Sequence, residues 1–182
     1  MPDFLLFTFT INEKKENNMI YDFYINKDIK DRFKIFSDDK LIFSGYKEGN
    51  STSFFDAFIG SSFDKGCNFV FYDNDENAVM KVERIFYEKN KKYIVNTDKK
   101  SFTLESDMSN SIKYNNELDI DISDFKEVNV LGFGSIKLNK KNFSIYEKFT
   151  LEVDDKDNLF YVIAVSLFIW DVFIKERLGF IK

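Results

Sequence analysis

The chain contains no histidine, so it lacks the commonest general base and the commonest neutral metal ligand. Ser-His-Asp, Cys-His and most zinc chemistries have no basis in it. Carboxylates would have to supply any acid-base work. Asp119 and Asp121 sit two positions apart in Glu117-Leu118-Asp119-Ile120-Asp121-Ile122-Ser123, a spacing that puts both on one strand face rather than across a cleft, as a glycosidase pair requires. Asp73-Asn74-Asp75-Glu76-Asn77 begins like a calcium loop, with oxygen ligands at alternate positions. It then places Ala78 at the turn glycine and Arg84 where a bidentate glutamate belongs, so the expectation is a hairpin turn. Asp154, Asp155 and Asp157 read as capping residues for a following helix. Gly132-Phe133-Gly134-Ser135 lacks both the third glycine of a phosphate loop and a helix after it, which leaves a tight turn or bulge between strands. Cys67 is the only cysteine and lies in the apolar stretch Cys67-Asn68-Phe69-Val70-Phe71, where a buried small side chain is expected and no intrachain disulfide is possible. These residues predict no catalytic site, no metal and no cofactor.

Charge narrows the partners. The formal net charge is -5 and the pI about 5.0, which argues against nucleic acid, since polyanion binding rests on clustered cations that release counterions. Lys89, Lys91, Lys92, Lys99 and Lys100 fall on expected turns that could share one rim of a barrel, where they would form a local basic patch able to contact anionic lipid or another anion. The amino terminus, Met1-Pro2-Asp3-Phe4, has no basic stretch ahead of an apolar run, and the expected location is cytoplasmic.

The elements that would position these residues are mostly strands. At 182 residues, 44% apolar and 18% aromatic, the chain suits one domain spanning 1–182, with a composition that favours pleated, half-buried surfaces. From about residue 3 to 153 it reads as short runs rich in Phe, Ile, Val and Tyr, separated by Asn, Asp, Lys, Gly and Ser clusters. Runs of this kind lie at Phe4 to Ile11, Ile20 to Ile25, Phe33 to Phe36, Leu41 to Gly45, Phe54 to Ile59 and Phe69 to Tyr72. They continue at Val79 to Phe86, Tyr93 to Asn96, Phe102 to Glu105, Val128 to Leu131, Ile136 to Leu138 and Phe143 to Val153. The clearest alternation puts Leu118, Ile120 and Ile122 on one face and acids on the other. About a dozen strands joined by turns such as Ser37-Asp38-Asp39-Lys40 and Thr97-Asp98-Lys99-Lys100 predict an antiparallel meander forming a sandwich or barrel. Glu105 to Asn116 is expected to be a long loop or a weak strand pair.

Past residue 153 the pattern changes. A helix over about 157–176 is predicted, with acids at its start, Lys175 and Arg177 at its end and Gly179 beyond. Only Ser166 and Asp171 interrupt its apolar surface, and they lie about 140° apart around the axis, so it has no polar face. Leu159, Val162, Ile163, Val165, Phe168, Ile169, Trp170 and Phe173 should therefore all be buried. The alternative burial is a bilayer, with Leu159 to Ile174 as a tail anchor. That segment covers roughly 24 Å and includes an aspartate, against a hydrocarbon thickness of about 30 Å, which favours the protein interior.

A meander of this size ending in an all-apolar helix resembles the tubby C-terminal-like superfamily, in particular its LURP-one-related and phospholipid-scramblase-like branch. The most specific stretch runs from Phe143 to Ala164, which is similar to that family's last strand, acidic turn and central helix. Ala164 and the Trp170-Asp171 pair fall where its helix carries small residues and a late aspartate. Arg32 to Phe36 and Phe69 to Val82 look like its strand-turn-strand units. The resemblance implies a closed antiparallel barrel of about twelve strands around the helix, in a mainly β (α+β) fold. It further implies a non-catalytic binding or scaffold module whose loops engage anionic lipid headgroups or a protein partner. Tubby domains proper use a basic pocket. Lys81 and Arg84 are the nearest basic pair here, and the intervening Val82-Glu83 departs from a Lys-x-Arg spacing and adds an acid.

Overall fold

A computed structural model describes residues 18–26, 33–48, 68–86, 90–107, 109–124, 126–130, 132–139 and 146–174. The expected strands at Phe4 to Ile11 and Phe54 to Ile59, together with Cys67 and Lys89, lie outside the described residues. Alternating apolar residues separated by polar turns build twelve strands: β1 (Met19–Asn26), β2 (Phe33–Ser37), β3 (Lys40–Glu48), β4 (Asn68–Tyr72), β5 (Ala78–Phe86) and β6 (Lys91–Thr97). They continue with β7 (Ser101–Ser106), β8 (Ser111–Tyr114), β9 (Leu118–Asp121), β10 (Glu127–Val130), β11 (Gly134–Asn139) and β12 (Tyr146–Val153). All pair antiparallel in one sheet, in the order β10-β11-β12-β1-β2-β3-β4-β5-β6-β7-β8-β9. Every hydrogen-bonded neighbour is a neighbour in sequence except one, the β12-β1 pair, which runs from Met19 opposite Val153 to Asn26 opposite Tyr146. The meander thus curls into a nearly closed barrel whose seam lies between β9 and β10.

The turns follow from their residues. Asp38 and Asp39 both adopt positive φ, 49° and 62°, the mirror-image turn whose twist suits a two-residue hairpin. In the β4-β5 turn Glu76 takes φ 63°, and the Asp73 carboxylate accepts from the backbone amides of Asp75 and Asn77, both at 2.9 Å. This is the hairpin that the calcium-like stretch was expected to form. Gly132 and Gly134 have φ of 76° and 145° and carry the tight turn from β10 to β11, again in line with expectation.

After β12 the Asp155 side chain accepts from the Asp157 amide and caps a single 3-10 turn, Lys156–Asn158. This leads into α1 (Leu159–Phe168), which continues as a π-helical segment, Ile169–Ile174. The whole helix, Lys156–Ile174, is long and apolar enough to cross a membrane by length and composition, with mean hydropathy 1.7, yet 78% of that window is packed inside the barrel. Leu159, Val162, Ile163, Val165, Phe168, Ile169, Trp170 and Phe173 are all buried, as expected. Around them Phe23, Phe33, Phe69, Phe71 and Phe149 are fully or almost fully enclosed. Phe33 stacks on Phe71 at 5.3 Å and meets Trp170 edge-on at 6.2 Å. Burying a side chain of this size stabilises by about 1.5–3 kcal/mol, and the interior contains little else.

Candidate functional site

Ser166 and Asp171 on the helix must be satisfied inside this apolar space. Ser166 solves the problem locally, since its hydroxyl donates to the Val162 carbonyl at 2.8 Å. Asp171 cannot, and its partners come from the barrel wall. Arg84 Nη2 donates to Asp171 Oδ1 at 3.2 Å, Arg84 Nε lies 2.7 Å from Oδ2, and the Tyr93 hydroxyl donates to Oδ2 at 2.7 Å. Arg84 and Tyr93 face each other across the β5-β6 ladder, so one aspartate reads both strands of a single register pair. The guanidinium lies over the rings of Phe86, at 4.4 Å, and Phe69, at 5.4 Å, contacts that favour a desolvated cation. The Arg84 and Asp171 side chains are 4% and 0% exposed. The cluster is therefore buried among the described residues.

Lys81 and Arg84, the nearest basic pair in sequence, do not share a site. They are an odd number of residues apart on β5, so they point to opposite faces: Lys81 is exposed and Arg84 is inside.

The lysines do not share one rim either. Lys91 and Lys92 open β6, whereas Lys99 and Lys100 lie in the hairpin that follows it, about 20 Å away along the strand. Successive turns of a meander alternate between the two ends of a barrel, so the two pairs mark opposite rims. Each is also engaged. Lys92 pairs with Glu105 at 3.6 Å, Lys99 with Asp157 at 2.9 Å, Lys91 lies over Phe86 at 5.0 Å and Lys100 over Tyr161 at 5.8 Å. The Asp157 hydrogen bond raises the Lys99 pKa, and Lys99 in turn lowers that of Asp157. Asp157 is thus used both in the entry turn of the helix and in an ion pair.

The outer wall carries two aromatic features that sequence reasoning missed. On β3 and β4, Tyr46 and Tyr72 stack at 5.4 Å with their planes 10° apart and their hydroxyls 3.0 Å from each other. That hydrogen bond, helped by burial and by Glu48, pushes the Tyr72 pKa up to about 12. Tyr46 is 43% exposed, and the outer wall also shows Ile20 at 59% and Leu41 at 37%. On β1, β2 and the turn after β2, Asp22, Tyr24, Lys34, Phe36 and Asp39 line an open groove of about 320 Å³. Tyr24 and Phe36 meet edge-on at 5.5 Å on its floor, and Lys148 of β12 pairs with Asp22 at 2.7 Å and lies over Tyr24 at 5.2 Å. The outward positions of these strands are where period-two alternation should have placed polar residues, and the aromatic exceptions were the available signal.

Among the described residues no group of three or more Cys, Asp or Glu side chains is arranged to hold a metal ion. Asp119 and Asp121 are exposed on β9, as the alternation predicts. No protein family, no curated protein and no solved structure matches the chain.

Proposed function

We propose that the chain is a non-catalytic binding or scaffold module of tubby-like type, cytoplasmic, that engages a protein partner through the outer wall of its barrel. The observation that carries this reading is the filled interior. The helix occupies the space that a ligand would need, and its one buried charged residue, Asp171, is engaged by Arg84 and Tyr93. Recognition is left to the exterior, where Tyr46, Tyr72, Ile20 and Leu41 present apolar and aromatic surface. Isolated exposed apolar residues are ordinary, but a rigid stacked tyrosine pair is the kind of group that anchors protein interfaces. A lipid surface is the less favoured ligand, because a flat bilayer cannot meet both rims at once and the lysines on each rim already have acidic or aromatic neighbours. The twelve-strand barrel around a C-terminal helix supports the tubby-like assignment.

Two assays test the proposal together. Flotation with vesicles containing anionic lipid should leave the protein unbound, and charge reversal at Lys91 with Lys92, or at Lys99 with Lys100, should change nothing. A partner recovered by affinity capture should be lost with Tyr46→Ala and Tyr72→Ala while Trp170 emission stays unchanged. Flotation that disappears with one lysine pair reversed would replace the protein-partner reading with a lipid one.

A further inference from the structure

The seam between β9 and β10 is unusual because these strands are consecutive in sequence, joined through residues 122–126, and antiparallel neighbours in the barrel wall, yet no ladder joins them. Their Cα traces come within 8 Å of one another, so they run side by side without zipping.

The hydrogen-bonding parity of the flanking ladders shows which backbone groups face the gap. Ile122 donates to the Asn110 carbonyl at 2.9 Å, in the register that pairs Ile112 with Ile120 and Tyr114 with Leu118. Residues 118, 120 and 122 therefore bond toward β8, and alternation turns the amides and carbonyls of Asp119 and Asp121 to the seam. On the other side Leu138 donates to the Lys126 carbonyl at 3.1 Å, in the register that pairs Val128 with Ile136 and Val130 with Gly134. Residues 126, 128 and 130 bond toward β11, which leaves Glu127 and Asn129 facing the seam. Pairing these four seam-facing residues with one another in antiparallel sense sets Asp121 against Glu127 and Asp119 against Asn129, both as hydrogen-bonded pairs.

The side chains oppose that closure. All four of these residues are exposed, while Ile120, Ile122, Val128 and Val130 on the same strands are buried. Zipping would set the Asp121 carboxylate directly against the Glu127 carboxylate, and like charges directly opposite destabilise a cross-strand pair. The Ser123 backbone amide, which donates to Asp121 at 2.9 Å, holds that carboxyl below its usual range and so in its charged form. Lys137 lies 3.3 Å from Glu127 and also 3.3 Å from Glu152, so its charge is shared. Lys113 stands opposite Asp119 and Ser111 opposite Asp121, and the connection itself adds Asp124 and Lys126.

We infer that the β9-β10 seam is a charge-gated closure of the barrel: the Asp121-Glu127 opposition keeps it unzipped, and neutralising or screening that opposition lets the two hydrogen-bonded pairs form. Open, the seam leaves β9 and β10 unpaired with each other; closed, it completes the wall around the helix.

Amide hydrogen exchange followed by NMR on the full chain tests this. In Asp121→Asn, which keeps an acceptor for the Ser123 amide, the amides of residues 119, 121, 127 and 129 should exchange more slowly by about fivefold, the upper end of a like-charge cross-strand effect. Ile120 and Val128, already in ladders, should not change. Asp119→Asn is the control, since Asp119 would face Asn129 and not an acid, and it should leave the four amides as they are. Raising the salt to about 1 M, where the screening length is roughly 3 Å, should slow the same amides in the unsubstituted chain and shrink its difference from Asp121→Asn. These variants alter exposed side chains, and unchanged Trp170 emission verifies the fold. Unaltered exchange at the four amides in Asp121→Asn, or an equal slowing in Asp119→Asn, would overturn the inference.

Discussion

Replacing Asp171 with alanine is expected to cost about 3–5 kcal/mol, the range for removing one partner of a buried ion pair and leaving the other uncompensated. The guanidinium of Arg84, 4% exposed, would keep its stacking on Phe86 and Phe69 but lose the carboxylate 2.7 Å from its Nε. The Tyr93 hydroxyl would lose its acceptor too, an effect of about 1–3 kcal/mol taken alone that overlaps with the first. Against a whole-domain stability of about 5–15 kcal/mol this is a large fraction. The companion variant removes the pair altogether: Arg84→Met, Asp171→Leu and Tyr93→Phe together replace both charges and the hydroxyl with apolar groups and should lie between neutral and about 4 kcal/mol more stable than the original. Urea unfolding followed by Trp170 emission measures both, because Trp170 is buried beside Asp171 and against Phe33. Equal denaturant slopes across the set would show that stability itself has changed. An Asp171→Ala chain within about 1 kcal/mol of the original, or a triple variant as unstable as the single one, would rule out a buried ion pair that each partner needs.

Gly134→Ala should cost about 3 kcal/mol in the same assay, since the added Cβ would overlap the Glu152 carbonyl oxygen on β12 and the residue has φ of 145°; a loss under about 1 kcal/mol would contradict the close approach of β11 to β12. Tyr72 should titrate near pH 12 by tyrosine ring-carbon NMR, and Tyr46→Phe should bring it back toward an ordinary tyrosine value. Because the folded pKa lies above the unfolded one, the stabilisation from this pair is complete below about pH 10 and is lost as the pH rises toward 12. A Tyr72 that titrates identically with and without the Tyr46 hydroxyl would remove that hydrogen bond as the cause.

Much of the wall was legible because burial on one face imposes alternation. Leu118, Ile120 and Ile122 point inward and Asp119 and Asp121 outward as their spacing requires, and the all-apolar helix could be placed inside the barrel by the lack of any polar face. β8 was hard to see because Ser111-Ile112-Lys113-Tyr114 is short and pairs with β7 at only Leu104-Tyr114 and Glu105-Lys113, so little burial pressure shaped it. Arg84 was readable in principle: Met80, Val82 and Arg84 share one parity, and a cation on an apolar face needs a buried acid, which the helix supplies at Asp171. The lysine rim failed on topology, since the turns before and after one strand lie at opposite ends of a barrel whatever residues they contain. The Asp121-Glu127 opposition was beyond the sequence because it depends on which of two consecutive strands fail to pair, a closure property of the whole sheet.

Trp170 fluorescence of the chain purified without detergent distinguishes a C-terminal helix that forms the core of the barrel from one that serves as an anchor. A core helix gives a soluble protein with blue-shifted emission that moves red in one cooperative step with denaturant and does not respond to vesicles. A chain that needs detergent to stay in solution, or whose Trp170 emission shifts on adding vesicles while the strands stay folded, would contradict it.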